Sequence, residues 1–179
     1  MTHNQKKSLP STLYTEEYFL TACEGYDEFI ESEGQHLSRR LRDAFTVAGV
    51  ESGMRILDVG CGRGEIIRHC MSLGIDAFGI DYAEVATLMT RDVITREQES
   101  IEESRQVAGG VCRSDAKVLP FPGDYYDRVL MIDVVEHLYP WELQEALTES
   151  RRVLKPGGLL VVHTAPNRWY DAYAYPWVR

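Results

Sequence analysis

Apolar positions along the chain change period near residue 50. Between residues 15 and 50 they recur at helical spacing. Tyr18, Phe19, Ala22 and Cys23 share one face of "TEEYFLTACEGYDEFIE", and Leu37, Leu41, Ala44 and Phe45 form a stripe over residues 35–48. Thr15 followed by acidic residues predicts a helix start, and Gly49 a helix stop. After residue 50, short apolar runs alternate with helical stretches. "RILDV" (55–59), "DAFGI" (76–80), "VCRSD" (111–115), "RVLMID" (128–133) and "LLVVHTA" (159–165) read as strands. Residues 65–73, 83–104 and 141–154 read as helices; the last is opened by Pro140 and followed by a "KPGG" turn. The long helix carries Val85, Leu88, Met89, Val93 and Ile94 on its apolar side. Strands alternating with helices predict an α/β fold, a doubly wound, mainly parallel sheet with right-handed crossovers.

A length of 179 residues fits one domain with a sizeable core. No apolar run reaches the roughly 18 residues that span a bilayer, so no membrane insertion is expected. The net charge of −9 disfavours a nucleic-acid backbone as partner, because phosphate binding needs clustered Lys and Arg. It leaves small molecules open. Cys23, Cys61, Cys70 and Cys112 form no CxxC pair and no zinc-like spacing with His. They read as free thiols, which places the protein in the cytoplasm.

The candidate chemistry begins at "RILDVGCGRGE". In an open parallel sheet, ligands bind beyond the carboxyl ends of the strands. A glycine-rich exit loop there lets backbone approach a ligand, with the next helix's amides facing it. Gly60-Cys61-Gly62-Arg63-Gly64 therefore reads as a nucleotide cradle, or as a strand-to-helix turn that needs glycine only for its geometry. Asp81 ends the second strand, 17 residues after Gly64. It suits ribose hydroxyls, a helix N-cap, or both.

"LDVGCGRGE", "FGIDYA", "SDAKVLPFPGDYYDRVLMIDVVEHL" and "RRVLKPGGLLVVHTAPN", in that order, resemble the successive motifs of class I S-adenosylmethionine-dependent methyltransferases of the ubiquinone/menaquinone-pathway type. The resemblance covers residues 54–167. It implies S-adenosylmethionine as cofactor, S-adenosylhomocysteine as product and a small-molecule acceptor. It further implies that Gly60, Gly62 and the loop through Cys61 hold the amino-acid end of the cofactor, with Asp58 fixing the loop. Asp81 would bind the ribose hydroxyls and Tyr82 lie beside the adenine. Asp115 would accept from the adenine amino group, with the Ala116 amide near the ring. Ile132 and Asp133 would flank the transferred methyl. The chain then divides into a flexible tail (1–13), a helical cap (14–50), the cofactor-binding core (51–167) and an aromatic tail (168–179).

Asp133, Glu136 and His137, spaced i, i+3 and i+4, would share a face on one helical turn. An oxygen acceptor needs a base, and His137 with Asp133 supplies candidate catalytic residues. The same segment is similar to an E-x-x-E-H stretch of ubiquinone-pathway O-methyltransferases that binds a divalent cation. We do not favour a metal, because such a pair equally caps a helix or orders a loop. His163, ending the fifth strand, is a further acceptor-side candidate, whereas His69 reads as a packing or surface residue. Tyr14, Tyr18, Phe19 and Tyr26 form a lid over the cofactor or simply pack the helix on the sheet.

The family sheet has seven strands in the order 3-2-1-4-5-7-6. Only five are found here, in the expected order 3-2-1-4-5, and the C-terminal hairpin is missing. An apolar edge left at "LLVVHTA" is a liability for a soluble protein. Three explanations stand: a truncated chain, expected first, then a homo-oligomer paired through that edge, and cover of the edge by the aromatic tail. Methyl transfer, with O-methylation the expected outcome, competes with two other readings. A non-catalytic binding module would keep the fold, and an NAD-dependent oxidoreductase would need GxGxxG, whereas residue 65 is Glu.

Overall fold

The computed structural model describes residues 7–22, 25–32, 35–100 and 107–164. Five strands, β1 (Arg55–Val59), β2 (Asp76–Asp81), β3 (Gly109–Arg113), β4 (Tyr126–Ile132) and β5 (Leu154–His163), form one sheet in the order β3-β2-β1-β4-β5. Every pairing is parallel, as the alternation predicts. The helices are α1 (Tyr26–Glu31), α2 (Arg39–Ala48), α3 (Glu65–Ser72), α4 (Glu84–Ser100) and α5 (Pro140–Val153).

Period-two alternation in β1 sorts the core into two layers. Ile56 packs with Leu41 and Ala44 of α2 and with Ile67, Cys70 and Met71 of α3. Leu57 and Val59 face the other way, against β4's Val129 and Met131 and α5's Ala146 and Val153. Asp58 therefore falls on the α2–α3 side, buried and next to the strand's exit.

Four local expectations are corrected. Residues 15–31 do not form one helix: a π-helical turn spans Tyr18–Ala22, and α1 starts after Gly25, which has a left-handed backbone. Cys23, expected on the shared face, lies outside the described residues. The third strand sits two residues earlier than expected, at Gly109–Arg113, because Ala77 to Asp81 pair with Gly109 to Arg113. The buried face of α4 is Ala86, Thr87, Thr90, Ile94 and Glu97, while Leu88 is exposed. That helix packs by small and β-branched residues, so a stripe of large apolar residues misplaces its face. Finally, the KPGG turn lies within β5: Tyr126 pairs with Leu154, Arg128 pairs with Leu159, and the residues between bulge outward.

The turn after β1 requires glycine at its first position. Gly60 has φ +78°, and a Cβ there would stand 2.4 Å from the Val134 side chain beyond β4. Gly157, in the β5 bulge, has φ +80° with nothing near its Cβ direction. Gly60→Ala should therefore cost about 2–4 kcal/mol, backbone strain plus overpacking. Gly157→Ala should cost the strain alone, about 1–2 kcal/mol. Urea unfolding followed by circular dichroism measures both; equal losses would contradict this packing.

Candidate functional site

The strand ends carry a cavity of about 360 Å³, within the size range of small-ligand pockets. Its floor is the β1 exit. Gly60 and Cys61 both donate their backbone N–H to the Ile80 carbonyl, at 2.8 and 2.9 Å, which ties the loop to β2. One Asp81 carboxylate oxygen accepts from the Gly62 N–H at 3.0 Å, and the other from the Ala83 N–H at 2.8 Å. Asp81 thus caps the start of α4 and holds the glycine loop at once. Burial raises its pKa against those bonds. The Cys61 thiol lies in the core beside the Thr90 hydroxyl, and burial raises its pKa, so Cys61 serves the wall through its backbone.

Asp58 lines the cavity beneath this loop. Burial, then the charges of Asp81 and Glu65, push its pKa up to about 7. Arg63, an unassigned position inside the loop, is 3% exposed. Its guanidinium donates to both Glu65 oxygens, at 3.1 and 3.3 Å, and to the Phe19 carbonyl at 2.9 Å. It also lies 4.9 Å from the centre of the Phe29 ring. One buried cation therefore fastens the N-terminal segment to the loop. Along that segment Tyr14, Tyr18 and Phe19 line the cavity, and Phe19 also packs on Ala83 and Ala86. Phe19 thus packs as well as lining the cavity. Tyr26 instead meets Arg63, with the cation 6.0 Å from its ring centre. Ser8 and Leu9 reach the cavity too.

Beyond the end of β2 stands Tyr82, and beyond β3 stand Asp115 and Ala116. One Asp115 oxygen accepts from the Lys117 backbone N–H at 2.9 Å, the other from Lys117 Nζ at 2.8 Å. Lys117 Nζ also meets Glu142 of α5 at 2.9 Å. At the β4 end, Ile132, Asp133 and His137 line the opposite wall. Asp133 takes a left-handed backbone, φ +55°. One carboxylate oxygen meets His163 Nδ1 at 2.7 Å, and the other accepts from the Arg40 guanidinium of α2. Glu136 accepts from the Thr164 hydroxyl at 3.0 Å, and His137 stands edge-on to Tyr14, ring centres 5.5 Å apart. The expected common face of Asp133, Glu136 and His137 does not form. The reversed backbone at Asp133, followed by a 3-10 turn at Val135–His137, sends the three side chains to different partners. Among the described residues no group of three or more His, Cys, Asp or Glu side chains is arranged to hold a metal ion. His69 packs edge-on against Phe45, as a packing residue would.

Asp58, Gly60, Cys61, Gly62, Asp81, Tyr82, Asp115, Ala116, Ile132, Asp133 and His137 line this one cavity; His163, also singled out, does not line it and instead meets Asp133. Sequence reasoning missed their holders: Arg40, Arg63, Lys117 and Glu142. Only Glu142 carried a signal, an acid in the first turn after Pro140, where its carboxylate accepts the Tyr139 N–H at 3.0 Å.

A family model described as a methyltransferase domain matches residues 57–162. The chain belongs to the methyltransferase-domain family. It is 31% identical over 181 residues to the ubiquinone/menaquinone biosynthesis C-methyltransferase UbiE of Bordetella avium (strain 197N), covering 90% of this chain and 64% of that one. Against a ubiquinone biosynthesis O-methyltransferase of Ruegeria sp. (strain TM1040), identity is 33% over 123 residues, covering 69% and 45%. The chain thus spans less than two thirds of the length of these relatives. The crystal structure of the PH0226 protein from Pyrococcus horikoshii OT3 superposes with a TM-score of 0.67 at 22% identity, covering 94% of this chain and 72% of that one. That likeness shows the fold. Together the motifs, the family match and the sheet order identify a class I S-adenosylmethionine-dependent methyltransferase domain.

Asp58 generates a pH prediction. Its folded pKa of about 7 lies above its ordinary value of 3.8, so the folded state holds more protons between those limits. Stability then falls as pH rises from about 4 to about 7 and levels off above. Asp58→Asn should flatten that slope in urea titrations at a series of pH values. A wild-type slope of opposite sign in this window, unchanged by the substitution, would refute the assignment.

Proposed function

We propose that this protein transfers a methyl group from S-adenosylmethionine to an oxygen of a small-molecule acceptor. The observation that carries the reading is convergence. The glycine loop, Asp81 and Asp115 come from three different strand exits and line one cavity of about 360 Å³ with Asp133 and His137. The residues fit the cofactor chemically: acceptor-only carboxylates for hydroxyl and amino donors, an apolar wall at Ile132, and a loop with glycine at 60 and 62 that leaves its backbone open to a ligand.

In this reading the loop from Gly60 to Gly62, steadied through Asp58, holds the amino-acid end. Asp81 takes the ribose hydroxyls, Tyr82 lies beside the adenine, and Asp115 with Ala116 recognises its edge. Ile132 and Asp133 flank the transferring end. When bound, the cofactor supplies a methyl group already activated on a sulfonium. The chain's own work is to orient the acceptor, exclude water with the Tyr14–Tyr18–Phe19 wall, and move a proton. His137 takes the acceptor's hydroxyl proton on a ring nitrogen. Asp133, bound by Arg40 and His163, fixes the wall beside it. The reading needs no cation.

Relatives named for C- and for O-methylation are both similar to this chain; the choice of oxygen rests on His137 facing the cavity. Among the described residues no helix is long and apolar enough to cross a membrane. We place the protein in the cytoplasm on its free thiols. We also infer self-association through the edge of β5, where Leu159 and Val162 are exposed.

The test is transfer of labelled methyl from S-adenosylmethionine to phenolic quinone precursors. His137→Gln should lower kcat by about 10²–10⁴ while affinity for S-adenosylhomocysteine stays unchanged. An unchanged kcat would remove His137 from the reaction. Cofactor binding without transfer to any acceptor would leave a binding module.

A further inference from the structure

The turn after β3 contains a cation that the function above does not use. Lys117 lines the cavity, and its side chain is 14% exposed, between Asp115 at 31% and Glu142 at 2%. Its ammonium bridges the two carboxylates, at 2.8 and 2.9 Å, and lies 5.5 Å from the Trp141 ring centre. Glu142 is itself fixed by the Tyr139 N–H at the start of α5. The backbone on the other side is equally constrained: Ser114 donates to the Asp81 carbonyl at 3.0 Å, and Val118 to the Asp115 carbonyl at 2.9 Å. Asp115 is thus gripped by one residue at both oxygens. Each oxygen keeps a lone-pair direction for a ligand, and an ionised carboxylate accepts hydrogen bonds without donating any.

We propose that Lys117 is a positioning residue for purine specificity: anchored on Glu142, it holds the Asp115 carboxylate oriented so that the site takes a 6-aminopurine and rejects a 6-oxopurine. The inference rests on the adenine-edge reading of Asp115 given above. A 6-oxo group brings an acceptor to an acceptor, whereas an amino group supplies the missing donor. A site built for one hydrogen-bonding partner discriminates against the analogue lacking it. Without Lys117, the Asp115 carboxylate loses the bond that fixes its plane and turns toward water, so the two purines bind alike.

Calorimetric titration of the full chain with S-adenosylhomocysteine and with its deaminated analogue S-inosylhomocysteine reads this directly. The wild type should prefer the adenosyl compound by about tenfold or more, the scale of a hydrogen bond to a charged group. In Lys117→Met that preference should fall below about threefold. Lys117→Arg, which keeps a cation between the carboxylates, should retain it. The double variant Lys117→Met/Glu142→Gln leaves no buried carboxylate unpaired, so it preserves the fold; it should show the same fall. A preference unchanged in Lys117→Met or in the double variant overturns the role of Lys117 and leaves the cofactor reading standing. A folded wild type that binds neither compound overturns both.

Discussion

The site depends on the two-sided bond made by the Asp81 carboxylate. One oxygen caps α4 through Ala83 and the other holds the Gly62 amide, while the Ile80 carbonyl receives Gly60 and Cys61. These bonds lock the exits of β1 and β2 together. The close approach of Gly60 to Val134 brings in the exit of β4. A side chain at position 60 would collide with the Val134 side chain and push these exits apart, so the close junction depends on glycine there.

Charge is handled unequally around that junction. Asp58, Glu65 and Asp81 are buried within one region, and burial is the largest influence raising each pKa. Arg63 meets part of this charge and grips Phe19, so cap and loop share one cation. At the far wall Arg40 of α2 reaches Asp133. Each of these arginines therefore links the segment before β1 to a strand exit. A pocket of net negative lining favours a cationic ligand over an anionic one, which agrees with a sulfonium donor and disfavours a pyrophosphate.

Much of this was readable in the residues. The parallel sheet followed from the alternation, and the strand order and the convergence of Asp58, Asp81, Asp115 and Asp133 from the family resemblance of the motifs at the strand ends. Other features turn on tertiary context. The face of α4 is set by close packing of Thr90 and Ala86, which hydrophobicity does not rank highly. The break at Gly25 and the left-handed Asp133 are single-residue backbone reversals, invisible to periodicity. Arg40, Arg63 and Lys117 look like ordinary surface charges in sequence, and only the fold shows Arg63 buried and Arg40 and Lys117 half-buried beside carboxylates.

The central claim is that the glycine loop and Asp81 together make a site for S-adenosylmethionine chemistry. Calorimetric titration with S-adenosylhomocysteine, with NAD in parallel and Asp81→Asn as the comparison variant, tests it most directly. The account predicts saturable binding of S-adenosylhomocysteine, no binding of NAD, and affinity reduced about tenfold or more in the variant, where a carboxylate acceptor is lost. Binding of NAD in its place, or no binding by a folded chain, would contradict it.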